Sequence, residues 1–233
     1  MEAIILAGGL GTRLRSVVNE VPKCMAPVCG KPFLHYQIQY LSRFKEIDHV
    51  ILSVGYLREV IFDWVAQQKL PFKVSYAIEE SPLGTGGGIK LALKQLEGKE
   101  AFILNGDTFF DVNLTKLAKT GQTNSQAITL ALKEMRNFDR YGTVERSNEG
   151  IIEKFNEKQP CEKGLINGGV YHIDLKGISL DSFPDKGSFE KEVLEKNVAK
   201  RNLRGYISDG YFIDIGIPED YKKANTDFAE LFN

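Results

Sequence analysis

A chain of 233 residues with 42% hydrophobic content is long enough for one large α/β domain with a substantial core, and nothing in it forces a second. Thirty basic residues against thirty-one acidic give a net charge of −1, which excludes a global field for nucleic acid or an anionic membrane and makes any phosphate binding local. Cys24, Cys29 and Cys161 lack the paired spacing of a zinc site, and the opening residues carry neither a basic stretch nor an apolar run of signal-peptide length, so a cytoplasmic protein is expected.

Residues 3–7 have the length and composition of a buried parallel strand, and Gly8, Gly9 and Gly11 follow at once. Such a loop lets backbone N–H groups line a concave site for phosphate oxygens, with Arg13 and Lys23 adding positive charge. It is not a P-loop, because it ends Gly11-Thr12-Arg13. Nor is it a dinucleotide fingerprint, because Leu14 stands where the third glycine belongs and Lys31 lies near the place of the acidic residue. Cys24 has no neighbouring histidine and reads as a small packing residue. Residues 32–46 then show a wide apolar helical face, with His35 expected as a packed core histidine. Segments 48–54, 57–69 and 72–78 read as strand, helix and strand, which implies a parallel sheet with helices on both faces.

The stretch Glu79-Glu80-Ser81-Pro82-Leu83-Gly84-Thr85-Gly86-Gly87-Gly88 leads into a helical pattern over 89–96. Three glycines there suggest that something packs on the backbone; by spacing alone, a planar base and a plain mobile turn fit equally. A strand over 101–104 ends in Asn105-Gly106-Asp107, placing a carboxylate where open α/β sheets bind ligands. Asp111 reads as a turn or cap residue. From residue 125 the texture changes to strand-like pieces at 127–132, 142–146, 151–155 and 166–173. A short helix over 188–196, a strand over 201–207 and a final helix opening at Pro218 complete the chain.

Gly-Gly-x-Gly-Thr-Arg-Leu at residues 8–14, followed by Pro22-Lys23-Cys24-Met25-Ala26-Pro27, resembles the opening of the sugar-1-phosphate nucleotidyltransferases. So does residues 211–221, an aromatic-x-Asp-x-Gly-x-Pro-Glu-Asp-Tyr run with Phe212 where tryptophan is common. Weaker likenesses are Pro82-Leu83-Gly84-Thr85, Gly106-Asp107, Phe155-Asn156-Glu157-Lys158 and Asn167-Gly168-Gly169-Val170-Tyr171. The resemblance implies a Rossmann-like, doubly wound, mostly parallel sheet with a smaller sugar-binding lid in the C-terminal half, all within one domain over 1–233. It implies catalytic roles for Arg13, Lys23 and Asp107. Nucleotide contacts would come from Leu6, Ala7, Gly8, Gly9, Gly11, Thr12, Glu80, Pro82, Leu83, Gly84, Thr85 and Gly106. Glu157, Lys158, Asn167 and Gly169 would meet the sugar phosphate, although Glu153-Lys154 repeats the Glu-Lys pair four residues earlier. Asp107 and Asp214 would hold Mg²⁺.

The reaction so implied is attack of a sugar 1-phosphate on the α-phosphorus of a nucleoside triphosphate. Likeness to short family members acting on heptose or amino-sugar 1-phosphates implies GTP with D-glycero-D-manno-heptose 1-phosphate, giving a GDP-heptose for cell-surface polysaccharide; UTP with an amino-sugar 1-phosphate is the alternative. A carboxylate in the pair Glu79-Glu80 could accept guanine's two adjacent donors, or both could be solvated. No nucleic-acid or membrane partner is expected, and homo-oligomerisation stays open. A nucleotide-sugar sensor without chemistry and an NAD(P)-binding module are the rival readings.

Overall fold

The computed structural model describes residues 1–9, 20–122 and 126–232. Strand β1 (Glu2–Leu6) is buried on both faces, as its unbroken apolar run requires. After a 3₁₀ turn at Lys23–Met25, the two-residue strands β2 (Pro27–Val28) and β3 (Lys31–Pro32) form a hairpin turned by Cys29 and Gly30, both at positive φ. Pro32 caps α1 (Phe33–Leu41), shorter than the 32–46 expected. His35 is half-exposed against Trp64 rather than packed in the core; the buried histidines are His49 and His172.

β4 (His49–Val54), α2 (Arg58–Ala66), β5 (Lys73–Ile78), α3 (Gly84–Leu93) and β6 (Glu100–Asn105) continue the strand–helix alternation. The short β7 (Thr108–Phe110) and α4 (Leu114–Gln122) follow; neither was expected, although Leu114, Leu117, Ala118 and Gly121 mark a buried helical stripe. Next come β8 (Ile128–Phe138), β9 (Val144–Arg146), β10 (Ile152–Phe155) and the long β11 (Cys161–Asp174). The helix expected over 188–196 is a π-helical stretch, Glu190–Leu194, running into α5 (Glu195–Val198). Strands β12 (Leu203–Ile207) and β13 (Phe212–Asp214) precede α6 (Pro218–Leu231).

Seven strands form one sheet in the order β12-β8-β11-β6-β1-β4-β5. All pairings are parallel except those of β11, which runs against both β6 and β8. The mostly parallel, doubly wound expectation holds. Alternation along β1 divides the core: Ala3 and Ile5 face a cluster with α1, α2, α4 and α6, whereas Ile4 faces one with α3 and Phe189. The chain leaves β1 for β4 on one side and reaches β6 on the other, so the carboxyl ends of β1 and β6 flank the topological switch point.

Of the later strands, β8, β11 and β12 extend the main sheet, while β9 and β10 pair as an antiparallel ribbon. Helix α3 begins at Gly84, five residues before the pattern suggested. A Cβ at Gly86 would lie 2.8 Å from Pro184 Cγ, and one at Gly87 only 2.4 Å from the Asp185 carbonyl oxygen. The chain's own loop over 184–187 therefore covers these glycines, in the place where a planar base was considered. No helix among the described residues is long and apolar enough to cross a membrane.

Candidate active site

A cavity of about 360 Å³ opens at the switch point, lined by Leu6, Ala7, Gly8 and Gly9 after β1, by Asn105, Gly106 and Asp107 after β6, and by Lys23, Cys24, Glu79, Pro82, Gly84 and Thr85. Gly106 is required by the fold: its N–H donates to the Leu6 carbonyl, and a Cβ would sit 2.3 Å from that oxygen. Gln37 on α1 braces the same turn, its Nε2 donating to the Asn105 and Thr108 carbonyls at 2.8 and 2.9 Å.

A non-local pairing brings the two sequence-distant aspartates together. β13 lies antiparallel to β7, setting Asp214 opposite Thr108, and the Ile215 N–H donates to the Asp107 carbonyl. Lys23 Nζ stands between the two side chains, 2.5 Å from Asp107 Oδ2 and 3.9 Å from Asp214 Oδ1. Burial, then the charge of Asp107, push the Asp214 carboxyl above its ordinary range; Lys23, the Gly216 N–H at 2.7 Å and Arg140 pull it back. Two close carboxylates with one ammonium form a site that favours more positive charge. Among the described residues no three His, Cys, Asp or Glu side chains form a metal-ligand group. A hard divalent cation using two carboxylates and completing its shell from phosphate and water fits that donor set, as Mg²⁺ does.

Burial pushes the Cys24 thiol up to about 12, so it stays protonated and is no nucleophile. Glu79 and Glu80 part company. Glu80, expected beside the base, is exposed, pairs with Arg58 at 3.3 Å and does not line the cavity. Glu79 lines the cavity: it accepts the Leu83 N–H at 3.0 Å and the Ser53 hydroxyl at 3.1 Å, and its Oε1 would crowd a Cβ at Gly8 or Gly88.

The profile of the nucleotidyl transferase family matches residues 2–230. The chain belongs to the nucleotidyl transferase family. It is 48% identical to D-glycero-alpha-D-manno-heptose 1-phosphate guanylyltransferase of Aneurinibacillus thermoaerophilus, covering 96% of each chain. The identity is the same to the enzyme of that name from Campylobacter jejuni, over 95% of this chain and 97% of that one. The structure of HddC from Yersinia pseudotuberculosis complexed with GMP-PN superposes with a TM-score of 0.85 at 36% identity, over 97% of this chain and 99% of that one.

In this nucleotidyl transferase, Leu6, Ala7, Gly8, Gly9, Lys23, Pro82, Gly84, Thr85, Gly106 and Asp107 share the cavity wall. Leu83 contributes its N–H to Glu79 instead of a wall. Gly11, Thr12 and Arg13 lie outside the described residues. Asn167 and Gly169 lie at an irregularity in the β8–β11 pairing: the Gly169 N–H donates to Asn167 Oδ1, and Gly169, at φ +70°, packs on Asn105 of the cavity rim. Glu157 and Lys158 are exposed in the turn after β10, with Phe155 packed on the second core cluster; Lys154 lies on β10, 4.0 Å from Glu145. Asp111 pairs with Arg43 at 2.5 Å and takes no part in the cavity.

Sequence reasoning missed Gln37, Ser53, Arg140 and Tyr141. Arg140 pairs with Asp220 and stacks on Tyr141, whose phenol burial and the Asp214 charge push upward. The strand alternation held a signal for Glu79: Ala77 is buried and Ile78 exposed, and continuing that period turns Glu79 inward and Glu80 outward.

Proposed function

We propose that this enzyme, working as one domain over 1–233, transfers GMP from GTP to D-glycero-α-D-manno-heptose 1-phosphate, forming GDP-heptose and releasing pyrophosphate. The observation that carries this reading is 48% identity across nearly the whole length of two guanylyltransferases bearing that substrate's name. The same reading puts the protein in the cytoplasm.

A sugar phosphate oxygen attacks the α-phosphorus of GTP, the bond to the β-phosphate bridging oxygen breaks, and pyrophosphate leaves. The second pKa of a phosphomonoester is about 6, so the attacker is already largely ionised at neutral pH and no general base is needed. That agrees with a cavity whose only thiol is held protonated. The chain's task is to hold two polyanions in line and to stabilise charge on the phosphoryl oxygens. Lys23, at the junction of the two carboxylates, would meet the phosphates together with Arg13, and the backbone of Leu6, Ala7, Gly8, Gly9, Gly11 and Thr12 would line their path. Asp107 and Asp214 would hold Mg²⁺, which neutralises phosphate charge when bound. Glu79 would accept the adjacent N1–H and amine of guanine, with Pro82, Leu83, Gly84, Thr85 and Gly106 shaping the pocket. Asn167 and Gly169 would meet the sugar, Glu157 its hydroxyls and Lys158 its phosphate.

Pyrophosphate release on mixing GTP with this heptose 1-phosphate tests the reaction, and release only with another sugar 1-phosphate would remove the sugar assignment. Lys158→Ala should raise the KM for sugar phosphate about tenfold or more, the scale of one charge-assisted contact. If Lys154→Ala does so while Lys158→Ala changes nothing, the Glu-Lys pair is the one at 153–154.

A further inference from the structure

One short segment joins Thr85 on the cavity wall to Tyr171 and Asn167 on β11. Thr85, on the nucleotide side, does not present a free hydroxyl: its Oγ1 accepts the Phe189 N–H at 2.8 Å and donates to Glu190 Oε2 at 3.1 Å. The Ser188 hydroxyl donates to the same Glu190 oxygen at 2.9 Å and accepts the Lys191 N–H at 3.2 Å, tying the loop to the first turn of the π-helical stretch. Backbone bonds tighten the join, with Gly86 N–H donating to the Gly187 carbonyl at 2.9 Å and Gly187 N–H to the Leu83 carbonyl at 2.8 Å.

The other end of the segment reaches β11. The buried Phe189 ring meets Tyr171 edge-on at 5.1 Å, and the Tyr171 hydroxyl accepts Asn167 Nδ2–H at 2.8 Å. Asn167 in turn fixes Gly169 through its Oδ1. Glu190 lies close enough for its charge to raise the Tyr171 phenol further, after burial has done most of that work. The π-helical stretch that opens at Glu190 is a rare local geometry, frequent at functional sites.

We propose that Glu190 is a positioning residue for nucleotidyl transfer: its carboxylate holds Thr85, and through Thr85 the start of α3, in the geometry that receives the nucleotide. Because Phe189 ties the same segment to Tyr171 and Asn167, the two substrate walls are set by one clasp. This rests on the nucleotidyl-transfer reading of the cavity. Glu190 stands behind Thr85 and does not line the cavity, so its loss should appear as poorer nucleotide capture, with the chemistry of bound substrates retained.

Steady-state kinetics of pyrophosphate release, with GTP and heptose 1-phosphate varied in turn, tests the proposal. Glu190→Ala should raise the KM for GTP about tenfold, roughly what one hydrogen bond to a charged group can supply, with kcat reduced much less. Glu190→Gln keeps an oxygen that can accept both hydroxyls and should restore most of the loss. Thr85→Val should resemble Glu190→Ala, and the double variant should be little worse than the more affected single one, since both remove the Thr85–Glu190 bond. A Glu190→Ala enzyme with wild-type KM for GTP, or additive losses in the double variant, would overturn the proposal, as would a fall in melting temperature alone. If Glu190→Ala does not fold, Glu190→Gln and Thr85→Val decide: Thr85→Val must raise the KM while Glu190→Gln spares it. A wild-type protein that releases no pyrophosphate would count against the nucleotidyl-transfer reading instead, and the same ordering would then have to appear in GTP dissociation constants measured by calorimetry, or the clasp fails as well.

Discussion

Asp107 and Asp214 illustrate how a site can work against the fold that carries it. Burial and mutual repulsion make the ionised Asp214 costly, and Lys23 offsets only part of that cost. Asparagine at 214 would remove the repulsion while its side-chain oxygen could still accept the Gly216 N–H. Asp107→Asn and Asp214→Asn should therefore each lower kcat by about a hundredfold or more, the scale of losing a preorganised electrostatic contact. Asp214→Asn should leave the melting temperature in EDTA unchanged or slightly raised. Near-normal turnover in both variants at limiting Mg²⁺ would remove these residues from the metal site. Glu79 carries the second residue-scale claim. A carboxylate that accepts two guanine donors faces a pyrimidine carbonyl unpaired, at a cost of about 1–3 kcal/mol. Glu79→Gln should thus lower the ratio of kcat/KM for GTP over UTP about tenfold; an unchanged ratio would assign Glu79 only to bracing Leu83 and Ser53.

At the scale of elements, the glycines separate into two kinds that look identical as letters. Gly87 is pressed on the Asp185 carbonyl, whereas a Cβ at Gly9 meets no described residue within 4 Å. Gly87→Ala should cost about 1–3 kcal/mol through overpacking and lower the melting temperature. Gly9→Ala should leave the melting temperature near wild type and raise the KM for GTP, because the space it fills is the cavity; the opposite pattern would reverse the two assignments. The first strand, the alternation through β5 and the carboxyl end of β6 were legible because each is encoded in local periodicity. The β7–β13 ribbon was not, since nothing local in Thr108-Phe109-Phe110 indicates that Phe212-Ile213-Asp214 will pair with it. Likewise the loop that covers Gly86 and Gly87 comes from about a hundred residues later in the chain. Motif matching could name both aspartates, but only tertiary pairing shows why they share Lys23.

For the whole molecule, the doubly wound sheet decides where chemistry can occur. The chain leaves β1 and β6 on opposite sides of the switch point, the loops that follow them bound the cavity, and antiparallel β11 sets Gly169 against Asn105 of its wall. Nothing in the sheet itself selects a base, so under the proposed function the choice of nucleotide would fall to side chains such as Glu79. The most direct measurement is a competition: the protein is given equimolar GTP, UTP, ATP and CTP with D-glycero-α-D-manno-heptose 1-phosphate and Mg²⁺, and the nucleotide sugar formed is identified by mass. The account predicts GDP-heptose as the dominant product, with pyrophosphate released in equal amount. A UDP-heptose excess, or no nucleotide sugar from any of the four, would contradict it.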